Sequence, residues 1–107
     1  MAFHSLERFG RVLQALRGLE LSVSAIQVFL VLAKTDRHIS ALSDLARRVE
    51  VSKTLVTHIA NRMEALGLGA RTEPQGDRRF CSFRLSPKGV ELARSMEAYL
   101  AGEADTF

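Results

Sequence analysis

The sequence predicts a mainly α-helical fold with one small β-hairpin. Three observations lead to this prediction. Apolar residues recur at helical spacing through the first part of the chain. Apolar and polar residues alternate after Gly69, and the serine–proline pair at Ser86 then opens another helical stretch. At 107 residues the chain suffices for one modest core, so we expect residues 1–107 to form a single domain.

The composition is that of an ordinary globular protein, with 47% hydrophobic and 25% charged residues. The apolar run Ile26–Ala33 is far shorter than the roughly 20 residues that span a bilayer, and the N-terminus lacks a signal-peptide pattern. The single cysteine, Cys81, excludes an internal disulfide framework and favours a reducing compartment. We therefore expect a cytoplasmic protein with no membrane partner. The net charge of +3 permits nucleic-acid binding without requiring it.

Two helices are predicted before residue 40. The first lies within residues 3–20 and ends at Gly18. Its apolar residues at helical spacing are Leu6, Phe9, Leu13 and Leu16. The second is predicted to open at Ser24, because Ser24 and Gln27 have the spacing of a capping box. Its apolar face predicts a buried central helix and comprises Ile26, Phe29, Leu30 and Ala33.

A helix-turn-helix is predicted next. Ser40 is expected to cap a third helix running from Ala41 to about Val49. After the turn at residues 50–52, Ser52 caps a fourth helix that runs to about Leu66, and Gly67 ends it. Two short helices joined by so tight a turn are typical of the helix-turn-helix motif.

A β-hairpin follows this motif. Its predicted strands are Ala70–Thr72 and Phe80–Leu85, joined by turn-forming residues, with Cys81, Phe83 and Leu85 on one face. A last helix starts at Pro87 and runs to about Leu100, and the tail from Gly102 is expected to fray. The order of elements predicts a winged helix-turn-helix, with the motif and wing in residues 40–85.

The fourth helix carries candidate DNA contacts. We expect its apolar residues to face inward: Leu55, Val56, Ile59, Ala60, Met63 and Leu66. The polar residues expected on the outward face are Lys53, Thr54, Thr57, His58, Asn61 and Arg62. Hydroxyl, amide and imidazole groups can read base edges in a major groove, while the amino end at Ser52, with Lys53 and Arg62, suits phosphates. The alternative is a merely solvated face of an amphipathic helix.

The hairpin carries a second set of candidate DNA contacts: Asp77, Arg78 and Arg79 at its tip and Arg71 on the first strand, with Arg84 on the second strand. Phosphate contacts are expected from Arg71, Arg78 and Arg79. Adjacent arginines on a short loop suit insertion beside phosphates or into a narrow minor groove. Asp77 would then hold one arginine in position through a charge-assisted hydrogen bond. A solvated turn with incidental charge is the alternative. Together the two sets predict a double-stranded DNA partner.

The stretch Leu42–Gly89 resembles the winged-helix core of the MarR regulators. The likeness rests on an ordered set of motifs: "LA…VS…VT", "MEALGL…R", the "DRR" tip and "LSPKG". It implies a homodimer on a pseudo-palindromic operator, with recognition helices in major grooves and wing arginines in minor grooves. By position, Asp77 and Arg79 match the family's wing aspartate and DNA-contacting arginine. A sequence-specific transcriptional regulator is expected, by default a repressor.

The chain departs from the family pattern at its C-terminus, since Phe107 follows soon after one helix. The resemblance therefore implies a short form, in which residues 3–20 and 87–101 supply the dimerisation helices. The family's ligand pocket would be small or missing, so a small-molecule effector is not expected.

The sequence contains no catalytic motif. His4, His38 and His58 are scattered over different predicted elements, so they do not have the spacing of metal ligands. We therefore expect neither an enzyme nor a cofactor. Cys81 is expected to be a small buried hydrophobe, with a redox sensor as the alternative. Two other functions stay open. One is a plasmid or phage partition or replication accessory protein, and the other is a winged helix that binds a protein partner.

Overall fold

The computed structural model describes residues 3–73 and 81–107. Within these residues the chain forms five α-helices and a three-stranded antiparallel sheet, which confirms the predicted fold class. A single turn at residues 36–38 precedes the first strand. The elements are α1 (His4–Gly18), α2 (Val23–Lys34), β1 (Ile39–Ala41), α3 (Leu42–Val49), α4 (Lys53–Ala65), β2 (Gly69–Thr72), β3 (Ser82–Leu85) and α5 (Pro87–Leu100).

Strand β1 was not predicted. The sheet has the order β1-β3-β2, and Ser40 lies opposite Phe83 on the central strand. The prediction that Ser40 caps α3 is therefore wrong. Ser40 lies in β1, one residue before the N-cap position of α3. That position is occupied by Ala41, which makes no side-chain cap bond. A strand of three residues is too short for the sequence to show its alternation.

Helix α2 begins two residues earlier than predicted. Ser22, and not Ser24, is its N-cap, and the Ser22 hydroxyl accepts a hydrogen bond from the Ala25 N–H at 3.1 Å. Leu21 is buried, so the chain turns into the helix directly after this anchored residue. The buried face of α2 also differs from the predicted one: the prediction that Leu30 belongs to it is wrong, because Leu30 is 46% exposed. The residues buried on α2 are Ala25, Val28, Phe29 and Leu32.

The core lies between the helices and the inner face of the sheet. Phe29 of α2 and Phe83 of β3 are its largest fully buried side chains. Helix α4 contributes four buried residues: Val56, Ile59, Ala60 and Met63. The prediction that Leu55 faces inward is wrong, since it is 37% exposed. Leu55 precedes the buried stripe by one residue, which turns its side chain about 100° around the helix axis.

Helix α1 buries only part of its predicted apolar face. Val12 and Leu16 are buried, whereas Leu6 is 64% and Phe9 is 49% exposed. The N-terminal half of α1 thus presents apolar side chains that the described residues leave exposed.

The tail after α5 is docked, so the prediction that it frays is wrong. The Arg8 guanidinium donates hydrogen bonds to the carbonyls of Tyr99 at 2.7 Å and Ala104 at 2.8 Å. It also lies 4.5 Å from the centre of the Tyr99 ring, and that ring stacks on Phe107. The chain reverses at Gly102, where φ is +81°. Contacts between residues more than 90 positions apart leave no local sequence signal.

The start of α5 fixes the end of α4. Gly67, with φ of +74°, confirms the predicted stop after α4. As predicted, Ser86 caps α5: its hydroxyl accepts from the Gly89 N–H at 3.1 Å, and it also donates to the Gly67 carbonyl at 2.6 Å. A Cβ at Gly89 would lie 2.2 Å from the Leu68 carbonyl oxygen, so only glycine allows this close approach. The base of the wing is thereby held against α5.

Among the described helices, none is by itself long and apolar enough to cross a bilayer; α1 and α2 meet that test only as a pair, across a bend of 109°.

Candidate nucleic-acid interface

The turn between α3 and α4 exposes the amino end of α4. Glu50 adopts a left-handed conformation with φ of +60°, and the Val51 N–H bonds to the Ala46 carbonyl at 3.0 Å. The Ser52 hydroxyl accepts from the Leu55 N–H at 3.0 Å, which confirms the predicted cap. Its own O–H can still donate. The backbone N–H groups of the first turn have no partner within the helix, and they form a ready site for an anion.

The N-terminal half of α4 presents polar side chains to solvent. Lys53, Thr54 and His58 are exposed, and Thr57 is half-buried. The Thr57 hydroxyl donates to the Lys53 carbonyl at 3.1 Å, so its lone pairs remain to accept a hydrogen bond. We call Ser52, Lys53, Thr54, Thr57 and His58 the recognition surface. It contains a cation, hydroxyls and an imidazole, and no carboxylate.

Arg62 does not point outward as predicted. One of its guanidinium nitrogens donates to the Leu19 carbonyl at 2.8 Å and lies 3.4 Å from the Glu20 carboxylate. The side chain is 39% exposed, while its Nε is buried and has no partner among the described residues. Residue 62 stands at the edge of the buried stripe, so its aliphatic stem follows the core towards the α1–α2 connection. Arg62 therefore ties α4 to that connection.

Arg71 is bonded to the C-terminal half of α4. Its Nη2 donates to the Glu64 carboxylate at 2.8 Å and also to the Asn61 side-chain oxygen. The Arg71 backbone N–H donates to the other carboxylate oxygen of Glu64 at 2.9 Å. We call Asn61, Glu64 and Arg71 the Arg71 cluster. Sequence reasoning missed Glu64, although a lone acid on a basic face seven residues before Arg71 was a usable signal.

A cleft separates the recognition surface from the base of the wing. It has a volume of about 360 Å³ and is lined by Leu42, Ser43, Lys53, Thr57, Arg71, Glu73 and Cys81. Cys81 is half-buried and packs at the edge of the core, so it is less enclosed than the predicted buried hydrophobe. Its Sγ lies 3.9 Å from the Ser82 carbonyl oxygen.

The predicted wing tip, Asp77, Arg78 and Arg79, lies outside the described residues. Of the strand arginines that flank it, Arg84 is exposed on β3 and Arg71 is half-buried on β2. The structure therefore brings Lys53, Thr57 and Arg71 to one cleft, and it directs Arg62 to the α1–α2 connection instead.

A metal centre and a small-molecule pocket are two other kinds of ligand site to consider in this fold. Among the described residues, no three His, Cys, Asp or Glu side chains are placed to hold a metal ion. A mostly apolar groove of about 380 Å³ lies between α2 and α5, where Phe29, Leu30 and Ala93 line it and Lys34 and Arg94 flank it. Its volume is at the low end of the range of about 300–1,000 Å³ for small-molecule sites.

No protein-family model matches the sequence, and no curated protein is significantly similar to it. Solved structures do match it in fold. AbsC, a MarR family transcriptional regulator from Streptomyces coelicolor, gives a TM-score of 0.70 at 23% identity, over 88% of this chain and 64% of that one. YusO from Bacillus subtilis gives 0.68 at 28% identity, over 91% and 67%. Sco3205, a MarR family transcriptional regulator from Streptomyces coelicolor in complex with DNA, gives 0.65 at 20% identity, over 75% and 50%.

These structures define the class of fold. The chain spans 64% of the length of AbsC and half that of Sco3205. Five helices and a three-stranded antiparallel sheet in the same arrangement confirm the resemblance predicted from the sequence. The chain has a MarR-like winged helix-turn-helix fold.

Proposed function

We propose that this protein is a sequence-specific regulator of transcription that binds double-stranded DNA through the recognition surface and the wing. The observation that carries the proposal is the N-terminal half of α4. A tight turn exposes its amino end, and the recognition surface itself contains no carboxylate, although Glu73 lines the same cleft as Lys53 and Thr57. The DNA complex of Sco3205, a protein of similar fold, supports the same use of the fold here.

Each group has a distinct task in this proposal. The first-turn N–H groups, the Ser52 hydroxyl and the Lys53 ammonium bind phosphate. Thr54, Thr57 and His58 reach base edges in the major groove. The proposed wing contacts are Arg78 and Arg79, with Asp77 orienting one of them.

The C-terminal half of α4 contributes differently. Because the Asn61 side-chain oxygen accepts a hydrogen bond from Arg71, its amide NH₂ remains to donate to DNA. The partly exposed guanidinium of Arg62 acts mainly through its bond to Leu19, which fixes the angle of α4.

We propose further that the protein acts as a homodimer in the cytoplasm, with α1 and α5 at the interface. The exposed Leu6 and Phe9 on α1 support this assignment. A two-fold axis would place two recognition helices about one DNA turn apart, roughly 34–36 Å, and the bound dimer would repress by occluding a promoter. A monomeric mass at micromolar concentration would contradict the dimer. Binding alone accounts for this function, so no catalysis or cofactor is proposed.

The test is a fluorescence-anisotropy titration against a duplex from the upstream region of the protein's own gene. A scrambled duplex is titrated beside it, each at two salt concentrations. We expect tighter binding to the native duplex and a steep loss of affinity with salt. Equal, salt-sensitive binding to both duplexes would indicate a partition or other architectural protein instead.

A protein-interaction module is the second candidate, and Leu55 is the observation that favours it. Leu55 is 37% exposed near the amino end of α4, where an apolar contact would suit a protein partner. Absence of binding to either duplex at low salt would support this candidate. The polar residues around Leu55 on α4 include a lysine and no acid, and this favours DNA.

A further inference from the structure

Arg71 stands at the base of the wing, next to the proposed DNA-binding surface. The sequence predicts a phosphate contact for Arg71. We infer instead that Arg71 is a positioning residue: together with Glu64 and Asn61 it sets the wing relative to α4, and it does not bind phosphate. The inference rests on the proposed DNA-binding function.

The geometry of the Arg71 cluster fixes both the backbone and the side chain of one residue. One Glu64 carboxylate oxygen accepts from the Arg71 guanidinium at 2.8 Å, and the other accepts from the Arg71 backbone N–H at 2.9 Å. The second N–H of the same guanidinium nitrogen bonds to Asn61. Three hydrogen bonds thus connect α4 to β2 at a single position, which restricts both rotation and translation of the strand.

The position of β2 gives these bonds their importance. In the sheet order β1-β3-β2, β2 is an edge strand, and among the described residues it pairs only with β3. Arg71 lies opposite Phe83 on β3, and its backbone N–H is directed to Glu64 on the other side. The strand is therefore held by β3 on one side and by α4 on the other. Only Thr72 and Glu73 separate Arg71 from the loop that carries Asp77, Arg78 and Arg79.

The charges in the cluster argue against phosphate binding. Arg71 and Glu64 are 2.8 Å apart, and their side chains are only 29% and 32% exposed. A phosphate in contact with Arg71 would have to compete with this carboxylate for the same guanidinium. A more distant phosphate would be attracted only weakly, because the charges of Arg71 and Glu64 largely cancel at that distance. Lys53 lies across the cleft, exposed and outside every ion pair found among the described residues. It is the matched cation that is free to neutralise a phosphate.

The two roles make opposite predictions for Glu64→Gln. If Arg71 binds phosphate, removal of a nearby negative charge should strengthen DNA binding. If Arg71 positions the wing, the same change should weaken binding, by about tenfold, because the glutamine amide keeps only one of the two acceptor oxygens that hold β2 and loses the charge that strengthens both bonds. Arg71→Ala should weaken binding to the same extent. The double variant should be no weaker than either single variant, since both changes remove one shared interaction.

Salt dependence separates positioning from phosphate contact. The slope of log K against log salt concentration should be unchanged in Arg71→Ala, whereas Lys53→Ala should reduce it by about 0.9. Tighter binding by Glu64→Gln, or a reduction of about 0.9 in the slope of Arg71→Ala, would overturn the inference.

A measurement on the free protein distinguishes failure of the inference from failure of the proposed function. The Arg71 amide should exchange its hydrogen with solvent several-fold faster in Glu64→Ala than in the parent protein, as read by NMR. The Ala70 amide, on the same strand, serves as the reference. Unchanged exchange at Arg71 would overturn the inference. If the Arg71 amide exchanges faster in Glu64→Ala but the parent protein binds no duplex, the positioning role of the cluster is supported and only the proposed DNA binding is refuted.

Discussion

The two halves of α4 differ in what their polar side chains contact. In the N-terminal half, Lys53, Thr54 and His58 project into solvent. In the C-terminal half, Arg62 bonds to the α1–α2 connection, and Asn61 and Glu64 bond to Arg71. Both halves carry polar residues at the same helical spacing. A polar stripe therefore does not define a binding surface until the elements beside each residue are known.

The difference follows from the position of α4 in the fold. Its first turns follow the turn at residues 50–52, and Lys53 and Thr57 there line an open cleft. Its last turns lie between the α1–α2 connection and β2, which both offer hydrogen-bonding groups. We expect the first half to determine sequence preference and the second half to determine the angle at which that half is presented.

The largest expected effect concerns sequence preference. Thr57→Val removes a hydroxyl but keeps the size and branching of the side chain. It should reduce the difference in binding free energy between native and scrambled duplexes by about 1–3 kcal/mol, because an acceptor for a base amino group is lost. Anisotropy titrations of both duplexes measure this difference.

Arg79→Ala is the matched control for Thr57→Val, since a wing contact to the backbone or minor groove should weaken binding to both duplexes alike. An equal loss on every duplex from both variants would contradict the division between helix and wing.

A smaller effect is expected on stability. Arg62→Met keeps much of the aliphatic stem and removes the bond to the Leu19 carbonyl, which should lower the free energy of unfolding by about 1–2 kcal/mol. Lys53→Met, in the exposed half of the same helix, should change it by less than about 0.5 kcal/mol. Urea denaturation measures both. Equal effects from the two variants would show that the halves do not differ in this way.

The smallest expected effect separates capping from DNA contact. Ser52→Ala and Ser22→Ala each remove a side-chain cap, from α4 and α2, and each should cost about 1 kcal/mol of stability. Only Ser52→Ala should also weaken DNA binding, because Ser22 lies on a different helix. Thermal melts and titrations of both variants provide the comparison, and weakened binding by Ser22→Ala would assign the effect to stability.

Local signals allowed much of the fold to be predicted. Ser52, Gly67 and the Ser86–Pro87 pair mark helix ends by interactions within a few residues, and the structure confirms all three. At α2, where Ser22 and Ser24 could both cap, the choice depends on the burial of Leu21, and the prediction was wrong.

Long-range contacts account for what the sequence could not predict. Arg62 and Leu19 are 43 positions apart, and Arg8 bonds to carbonyls more than 90 positions away. Strand β1 forms because it pairs with β3, and a segment of three residues is too short to show the alternating pattern of a strand in the sequence. Within the site, Lys53, Thr54 and His58 were correctly predicted to be exposed, whereas the predictions for Leu55 and Arg62 were wrong.

The most direct test of the contrast between the two halves of α4 is an NMR titration of the isotope-labelled protein with the native duplex, and with the scrambled duplex as control. We expect the largest specific shifts at the amides of residues 52–58 and much smaller ones at residues 62–66. Equal shifts along the whole helix would contradict the division of α4 into a reading half and a positioning half. Absence of shifts from residues 52–58 would contradict the proposed DNA interface itself.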